Sequence, residues 1–68
     1  MLIENHIISL ARSNSYLIKQ IVDIIDDDWG YRAKGKSSKT RVNKTINELK
    51  DSDLVNVNTD GLVLWIGE

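Results

Sequence analysis

The sequence predicts a small α+β domain in which three helices are followed by a two-stranded β-hairpin. Three stretches repeat their apolar residues at helical spacing, and the end of the chain contains two β-rich runs joined by Asp-Gly. The chain has 68 residues, of which 41% are hydrophobic, so we expect one domain over residues 1–68. It contains no cysteine, so neither disulfides nor thiolate metal sites are expected to stabilise it.

The first predicted helix covers about residues 2–12. Ile3, Ile7 and Leu10 recur at the i, i+4, i+7 spacing of one helical face. His6 lies between these apolar positions. We expect a partly buried helix residue there rather than a metal ligand, because the chain has no second histidine.

The second predicted helix covers about residues 15–26, after a break, "SNS", made of residues that favour caps and turns. Its wide face of isoleucine and valine should place it centrally in the core. A buried strand over residues 20–25 is also compatible with this β-branched pattern. We expect the helix to end at or before the surface carboxylates Asp26–Asp28, because the macrodipole is negative at a helix C-terminus. Trp29 should then cover the core.

The third predicted helix begins at a cap formed by Ser37 or Ser38 and runs to about Lys50. Its buried stripe comprises Val42, Ile46 and Leu49. The opposite face is polar and cationic.

The β-rich runs "LVNVN" and "LVLWI" predict a hairpin, and Asp60-Gly61 suits a two-residue type I′ turn. That turn would pair Val57 with Leu64 and would leave Val63 and Trp65 off the core face. Exposed aromatic side chains often mark interfaces, so Val63 and Trp65 are candidates for a homodimer or protein-partner interface. Alternatively, Trp65 packs over the first helix or covers asparagine side chains.

The formal net charge of −1 conceals a segregation of charge. The window from residue 29 to residue 47 contains six basic residues and no acidic residue. Such a window creates a local positive field on a nearly neutral protein. Its basic residues are Arg32, Lys34, Lys36, Lys39, Arg41 and Lys44.

Two short motifs invite a ligand-binding interpretation. "GYRAKGKS", from Gly30 to Ser37, fits the phosphate-loop pattern, but the 31 residues that follow are too few for a parallel sheet, so we interpret the match as coincidental. "NVNTDG" approaches the calcium-loop pattern, but Asn56 stands at its first position and Gly67 where a bidentate Glu is needed. With one histidine and no evident nucleophile, we expect neither an enzyme, nor a cofactor, nor a bound metal.

From Ser38 onward, "SKTRVNKTINELKDSDLVNVNTDGLVLWIG" resembles the recognition helix and wing of the winged helix-turn-helix family. Four features stand in the order in which the family has them. These are a polar helix start, an apolar stripe, "LV" after the helix end and a hairpin tip that contains glycine. The resemblance covers about half the chain. The first two predicted helices match the family only in being helices. The sequence departs from the family at Asp53, where glycine is frequent, and in the long segment of about Asp27 to Lys36.

The resemblance implies that the third helix, about residues 37–50, enters the major groove of duplex DNA and that the wing, residues 54–66, touches the backbone or minor groove. We therefore expect a small DNA-binding transcriptional regulator of bacterial, phage or plasmid origin. Because one 68-residue module offers little contact area, we also expect a homodimer on a two-fold site. The alternative is a winged-helix adaptor or inhibitor, such as one of mobile-element origin, that binds a protein. The expected DNA contacts are Arg32, Lys34, Lys36, Ser38, Lys39, Thr40, Arg41, Asn43, Lys44 and Asn47.

The chain shows no secretory signal and no apolar run long enough to span a membrane. We therefore expect a cytoplasmic protein, associated with the nucleoid when bound to DNA.

Overall fold

The computed structural model describes residues 2–67 and confirms the predicted α+β class. The elements follow in the order α1 (Ile3–Ser13), β1 (Tyr16–Leu17), α2 (Ile18–Asp28), a 3₁₀ turn (Arg32–Lys34), α3 (Lys39–Asp51), β2 (Val55–Val57) and β3 (Leu62–Trp65). The strands form one antiparallel sheet in the order β1-β3-β2. Within residues 2–67, no helix is both long and apolar enough to cross a bilayer.

The core is an aliphatic cluster drawn from all three helices and from the hairpin. The predicted stripe of α3 is buried, with Val42, Ile46 and Leu49 at most 4% exposed. Burying one such side chain contributes about 1.5–3 kcal/mol, so the stripe fixes α3 firmly against the core. The other buried hydrophobic residues are Ile3, Ile7, Ala11, Ile21, Ile25, Val55 and Val63.

The short strand β1 was not predicted, and the predicted start of the second helix at residue 15 was wrong. Tyr16 and Leu17 pair with Val63 and Leu62 of β3. α2 begins only at Ile18, whose N–H donates to the Gly61 carbonyl at 2.9 Å. A two-residue strand is too short to show an alternating pattern, so only its partner in the folded chain defines it. The alternative of a strand over residues 20–25 is also wrong, because this segment is helical.

α2 continues through Asp28, so the prediction that it ends at or before Asp26–Asp28 was wrong. Each carboxylate has a partner that offsets the unfavourable macrodipole. Asp27 Oδ1 lies 2.8 Å from Arg32 Nε, and Asp28 Oδ2 lies 3.5 Å from His6 Nε2. Asp26 is not at the surface as predicted. It is buried and accepts a hydrogen bond from the start of α3.

The hairpin loop contains three residues rather than two, which shifts the register by one. The Asn58 N–H donates to the Leu62 carbonyl at 3.1 Å, and Gly61, with φ of 85°, closes a turn on the Asn58 carbonyl at 3.0 Å. The Asn58 side chain also accepts hydrogen bonds from the N–H groups of Asp60 and Leu62. This is a turn followed by a left-handed glycine, which suits a three-residue hairpin loop.

The register that follows pairs Val57 with Val63 and Val55 with Trp65. The predicted pairing of Val57 with Leu64 was therefore wrong. Because side chains alternate across a sheet, a shift of one residue turns Val63 and Trp65 toward the core instead of toward solvent.

Candidate nucleic-acid interface

The outer face of α3 consists of Thr40, Lys44 and Asn47, which are all exposed. These residues lie on the side of the helix opposite the buried stripe, as the 3.6-residue period requires. Lys39 and Arg41 flank this face and are exposed, and Asn43 is half-buried beside it. The structure thus brings six of the ten predicted DNA-contacting residues onto one side of one helix.

Asp26 holds the start of α3 in place. Its Oδ1 accepts a hydrogen bond from the Ser38 N–H at 2.7 Å, in a position where the positive end of the helix favours an anion. The Ser38 hydroxyl, the Ser38 N–H and the Arg32 guanidinium together hold the pKa of Asp26 below its ordinary value, against the opposite effect of burial. α3 is therefore anchored to α2 by an ionised carboxylate.

Ser38 does not belong to the exposed site, which corrects its prediction as a DNA contact. It is 1% exposed, and its hydroxyl acts on the buried Asp26 carboxylate, whose pKa it helps to lower, although the Oγ makes no hydrogen bond of standard geometry. Its neighbour Ser37 is exposed and accepts the Lys39 N–H on its Oγ at 3.2 Å. Ser38 precedes α3 as predicted, but its own side chain makes no capping hydrogen bond. The Asp26 carboxylate bonds to the N–H of this cap residue rather than to an N–H of the first helical turn.

Arg32 also differs from the other predicted contacts. Its Nε lies 2.8 Å from Asp27 Oδ1 and its Nη2 lies 3.5 Å from Asp23 Oδ1. Two carboxylates of α2 therefore neutralise it locally. We interpret Arg32 as a brace between α2 and the loop that follows, rather than as a free cation.

The remaining five cations of the basic window are all exposed. Within residues 2–67, Arg32 and His6 are the only basic side chains close enough to a carboxylate to pair with it, so none of the five has a carboxylate partner. Their combined field is directed at solvent and at any anionic partner. These residues are Lys34, Lys36, Lys39, Arg41 and Lys44.

Clefts flank α3 on both sides. On the α1 side, a cleft of about 610 Å³ is lined by Leu2, Thr40 and Lys44, among others. On the α2 side, a cleft of about 360 Å³ lies between Lys19 and Lys39. Lys19 was not among the predicted contacts, because it lies outside the basic window and only the packing of α2 against α3 brings it near Lys39.

Val63 and Trp65 do not form the predicted exposed interface. Val63 is fully buried, and Trp65 is half-buried with the Arg12 guanidinium carbon 5.7 Å from its ring centroid. This matches the alternative that Trp65 packs over the first helix. The residue of this region that faces solvent is Ile66, which is 58% exposed.

Trp29 and His6 form a polar contact at the edge of the core. The Trp29 indole N–H donates to His6 Nδ1 at 2.9 Å, and both side chains are partly buried. This confirms that Trp29 covers the core and that His6 is a partly buried helix residue. Within residues 2–67, no cluster of three or more His, Cys, Asp or Glu side chains is arranged to hold a metal ion.

The two motif matches have simple structural explanations. Gly30–Ser37 follows a helix rather than the buried strand that a phosphate loop requires. The calcium-like segment forms the hairpin turn, in which the Asn58 side chain bonds to its own backbone instead of being free to bind an ion.

No family model, curated protein or solved structure matches this chain. The assignment of a function therefore depends on the geometry and charge of the site itself.

Proposed function

We propose that this protein binds duplex DNA with the outer face of α3 and acts as a small transcriptional regulator of the winged helix-turn-helix kind. The observation that supports this most directly is the exposure of Thr40, Lys44 and Asn47 over a buried apolar stripe. The exposed positions are free to contact a ligand, while the stripe keeps the helix rigidly in place.

The chemistry of the face suits base edges. Lysine and arginine donate to guanine, asparagine pairs with adenine, and threonine contacts either a polar edge or a thymine methyl group. Lys44 and Asn47 lie one turn apart at the centre of the face. In this proposal they contact bases, and Lys39 and Arg41 on the flanks contact the phosphates that fix the register.

The basic loop before α3 extends the phosphate contacts. Lys34 and Lys36 are exposed and lie N-terminal to α3, on the same side as Arg41. Arg32 makes a smaller contribution in this proposal, because Asp23 and Asp27 already balance its charge. The wing adds little electrostatic attraction, since Asp60 is the only charged side chain between Leu54 and Gly67.

One 68-residue module offers a small contact area, so we expect two copies on a two-fold site. Val63 cannot supply their interface because it is buried. The apolar residues of the hairpin that retain exposure, above all Ile66, are the better candidates for it.

The experiment compares two charge reversals on the same helix, Lys44→Glu and Lys50→Glu. Both residues are exposed, but Lys50 lies in the last turn, away from the cationic end. We expect Lys44→Glu to abolish the shift of a random duplex at low salt, and Lys50→Glu to weaken it far less. If the unmodified protein shifts no duplex at low salt, the proposal is wrong and the protein-binding alternative takes its place.

A further inference from the structure

A separate cleft of about 250 Å³ opens between the start of α1, the end of α2 and the start of α3. Its lining includes two aromatic residues, Trp29 and Tyr31, and the aliphatic residue Ile3. Three cations, Lys34, Lys36 and Arg41, also line it. No carboxylate is among its lining residues.

The loop that forms one wall is held in a defined shape. The Tyr31 carbonyl accepts hydrogen bonds from both the Lys34 N–H at 3.1 Å and the Lys36 N–H at 2.8 Å. Gly35, with φ of 67°, provides the left-handed residue that closes this turn. These bonds fix the backbone of the segment that brings both lysines and Tyr31 into the lining of the cleft.

The indole of Trp29, which also lines the cleft, is held in place by a hydrogen bond. The hydrogen bond from Trp29 Nε1 to His6 Nδ1 sets the orientation of the indole, which is half-buried against the core. An aromatic ring held in this way loses little side-chain entropy when a base stacks on it or contacts its edge.

The basic residues of the loop differ in whether a carboxylate of the chain pairs with them. Arg32 is turned to the carboxylates of α2, whereas Lys34 and Lys36 line the cleft with Arg41 and have no carboxylate partner within residues 2–67. The cleft therefore carries three uncompensated positive charges beside two aromatic rings. Cations next to aromatic surfaces are the combination with which proteins hold unstacked nucleotides.

We propose that this cleft binds one nucleotide, with the base against Trp29 and Tyr31 and the phosphate on Lys34, Lys36 and Arg41. The nucleotide is either free or an unpaired residue of a single strand, since both present the same chemistry. The proposal concerns binding alone and does not rest on duplex recognition by α3.

The test uses Trp29 as a reporter in a Trp65→Phe background, where it is the sole tryptophan. AMP, a short oligo-dT and ribose 5-phosphate are titrated separately at low salt. We expect saturable quenching by AMP or by oligo-dT, and binding of ribose 5-phosphate at least tenfold weaker because it lacks a base. Oligo-dT binding without AMP binding identifies a strand as the source, and equal binding identifies a free nucleotide.

Matched double variants locate the site. The double variant Lys34→Ala/Lys36→Ala should weaken nucleotide binding at least tenfold. The double variant Arg12→Ala/Lys50→Ala removes the same charge at exposed positions outside the cleft and should leave nucleotide binding within twofold. Circular dichroism checks that both variants fold. Lys44→Glu should abolish duplex binding and leave nucleotide binding unchanged. The duplex-binding proposal and the nucleotide-site proposal can therefore fail independently of each other.

Three results would overturn the nucleotide site. The first is the absence of saturable quenching by AMP and by oligo-dT. The second is equal affinity for ribose 5-phosphate and AMP, which would show that the aromatic rings take no part. The third is an equal loss of binding in the two double variants, which would show that the phosphate is attracted by the overall charge of the protein rather than by the cleft.

Discussion

The carboxylate of Asp26 accepts a hydrogen bond from the backbone N–H of Ser38 at 2.7 Å, across twelve residues of sequence. This bond joins the last turn of α2 to the first residue before α3. It fixes the orientation of the helix that carries the candidate DNA-binding face. The site therefore depends on an ionised group that lies beneath it rather than within it.

The first prediction concerns acid stability. The folded-state pKa of Asp26 is lowered from 3.8, chiefly by Ser38, so its contribution to stability is fully present above the unfolded pKa. That contribution is lost as the pH falls through the folded pKa. In thermal unfolding from pH 7 to pH 2.5, Asp26→Asn should be less stable at neutral pH and should show a shallower loss of stability below about pH 4.

Asp60→Asn is the control, because Asp60 is an exposed loop carboxylate. It should retain the acid-dependent loss of the unmodified protein. Equal pH profiles for Asp26→Asn and the unmodified protein would show that the Ser38 contact does not stabilise the fold.

The second prediction concerns the end of α3. The Asp53 N–H donates to the Lys50 carbonyl and the Leu54 N–H to the Leu49 carbonyl, at 3.0 Å each, which is a Schellman motif. Asp53 occupies its left-handed position with φ of 60°, where glycine is favoured. Asp53→Gly should raise the free energy of unfolding by about 1 kcal/mol, measured by urea denaturation.

The matched control is Asp53→Ala. It removes the same charge but keeps a side chain in the left-handed region, so we expect no gain in stability. An equal gain in both variants would assign the effect to the carboxylate at the helix C-terminus instead of to the backbone conformation.

The third prediction concerns the hairpin loop. Asn58 Oδ1 accepts two backbone N–H groups, from Asp60 at 2.9 Å and from Leu62 at 3.0 Å. Asn58→Ala should lower the free energy of unfolding by roughly 1–3 kcal/mol, at about 0.5–1.5 kcal/mol for each of the two hydrogen bonds. Thr59→Ala, on an exposed neighbour, should change it much less, and a comparable loss there would argue against a special role for Asn58.

Much of the fold follows from sequence periodicity, and the parts that do not follow depend on tertiary partners. The buried face of α3 was predictable from the spacing of Val42, Ile46 and Leu49, because helical spacing is a local property of the sequence. The hairpin register was wrong by one residue, because the Asn58 side chain stabilises a longer loop than Asp-Gly alone suggests. Asp26 was assigned to the surface because nothing near it in sequence indicates Ser38 as a partner.

Part of the candidate site, the exposed face of α3, was also predictable from the sequence. The exposed positions of α3 follow from the same helical period as its buried stripe. The neutralisation of Arg32 by Asp23 and Asp27, and the approach of Lys19 to α3, depend on the packing of α2, which local patterns do not encode.

The fourth prediction separates Arg32 from the free cations. If duplex DNA binds as proposed, Lys36→Ala should reduce the salt slope of binding by about 0.9, the value for one phosphate contact. Arg32→Ala should reduce it by clearly less, because two carboxylates already balance its guanidinium. Fluorescence anisotropy with a labelled duplex at several salt concentrations measures both, and equal reductions would contradict the assignment of Arg32 as a brace.

In the proposed complex, Lys34, Lys36, Lys39 and Arg41 bind the DNA backbone. The salt dependence of duplex affinity, measured with and without Lys39→Ala, tests this directly. For four phosphate contacts, log K should fall against log salt concentration with a slope of about −3.6, and Lys39→Ala should make the slope shallower by about 0.9. An affinity that does not change with salt, or no binding to duplex at low salt, would contradict the proposed complex.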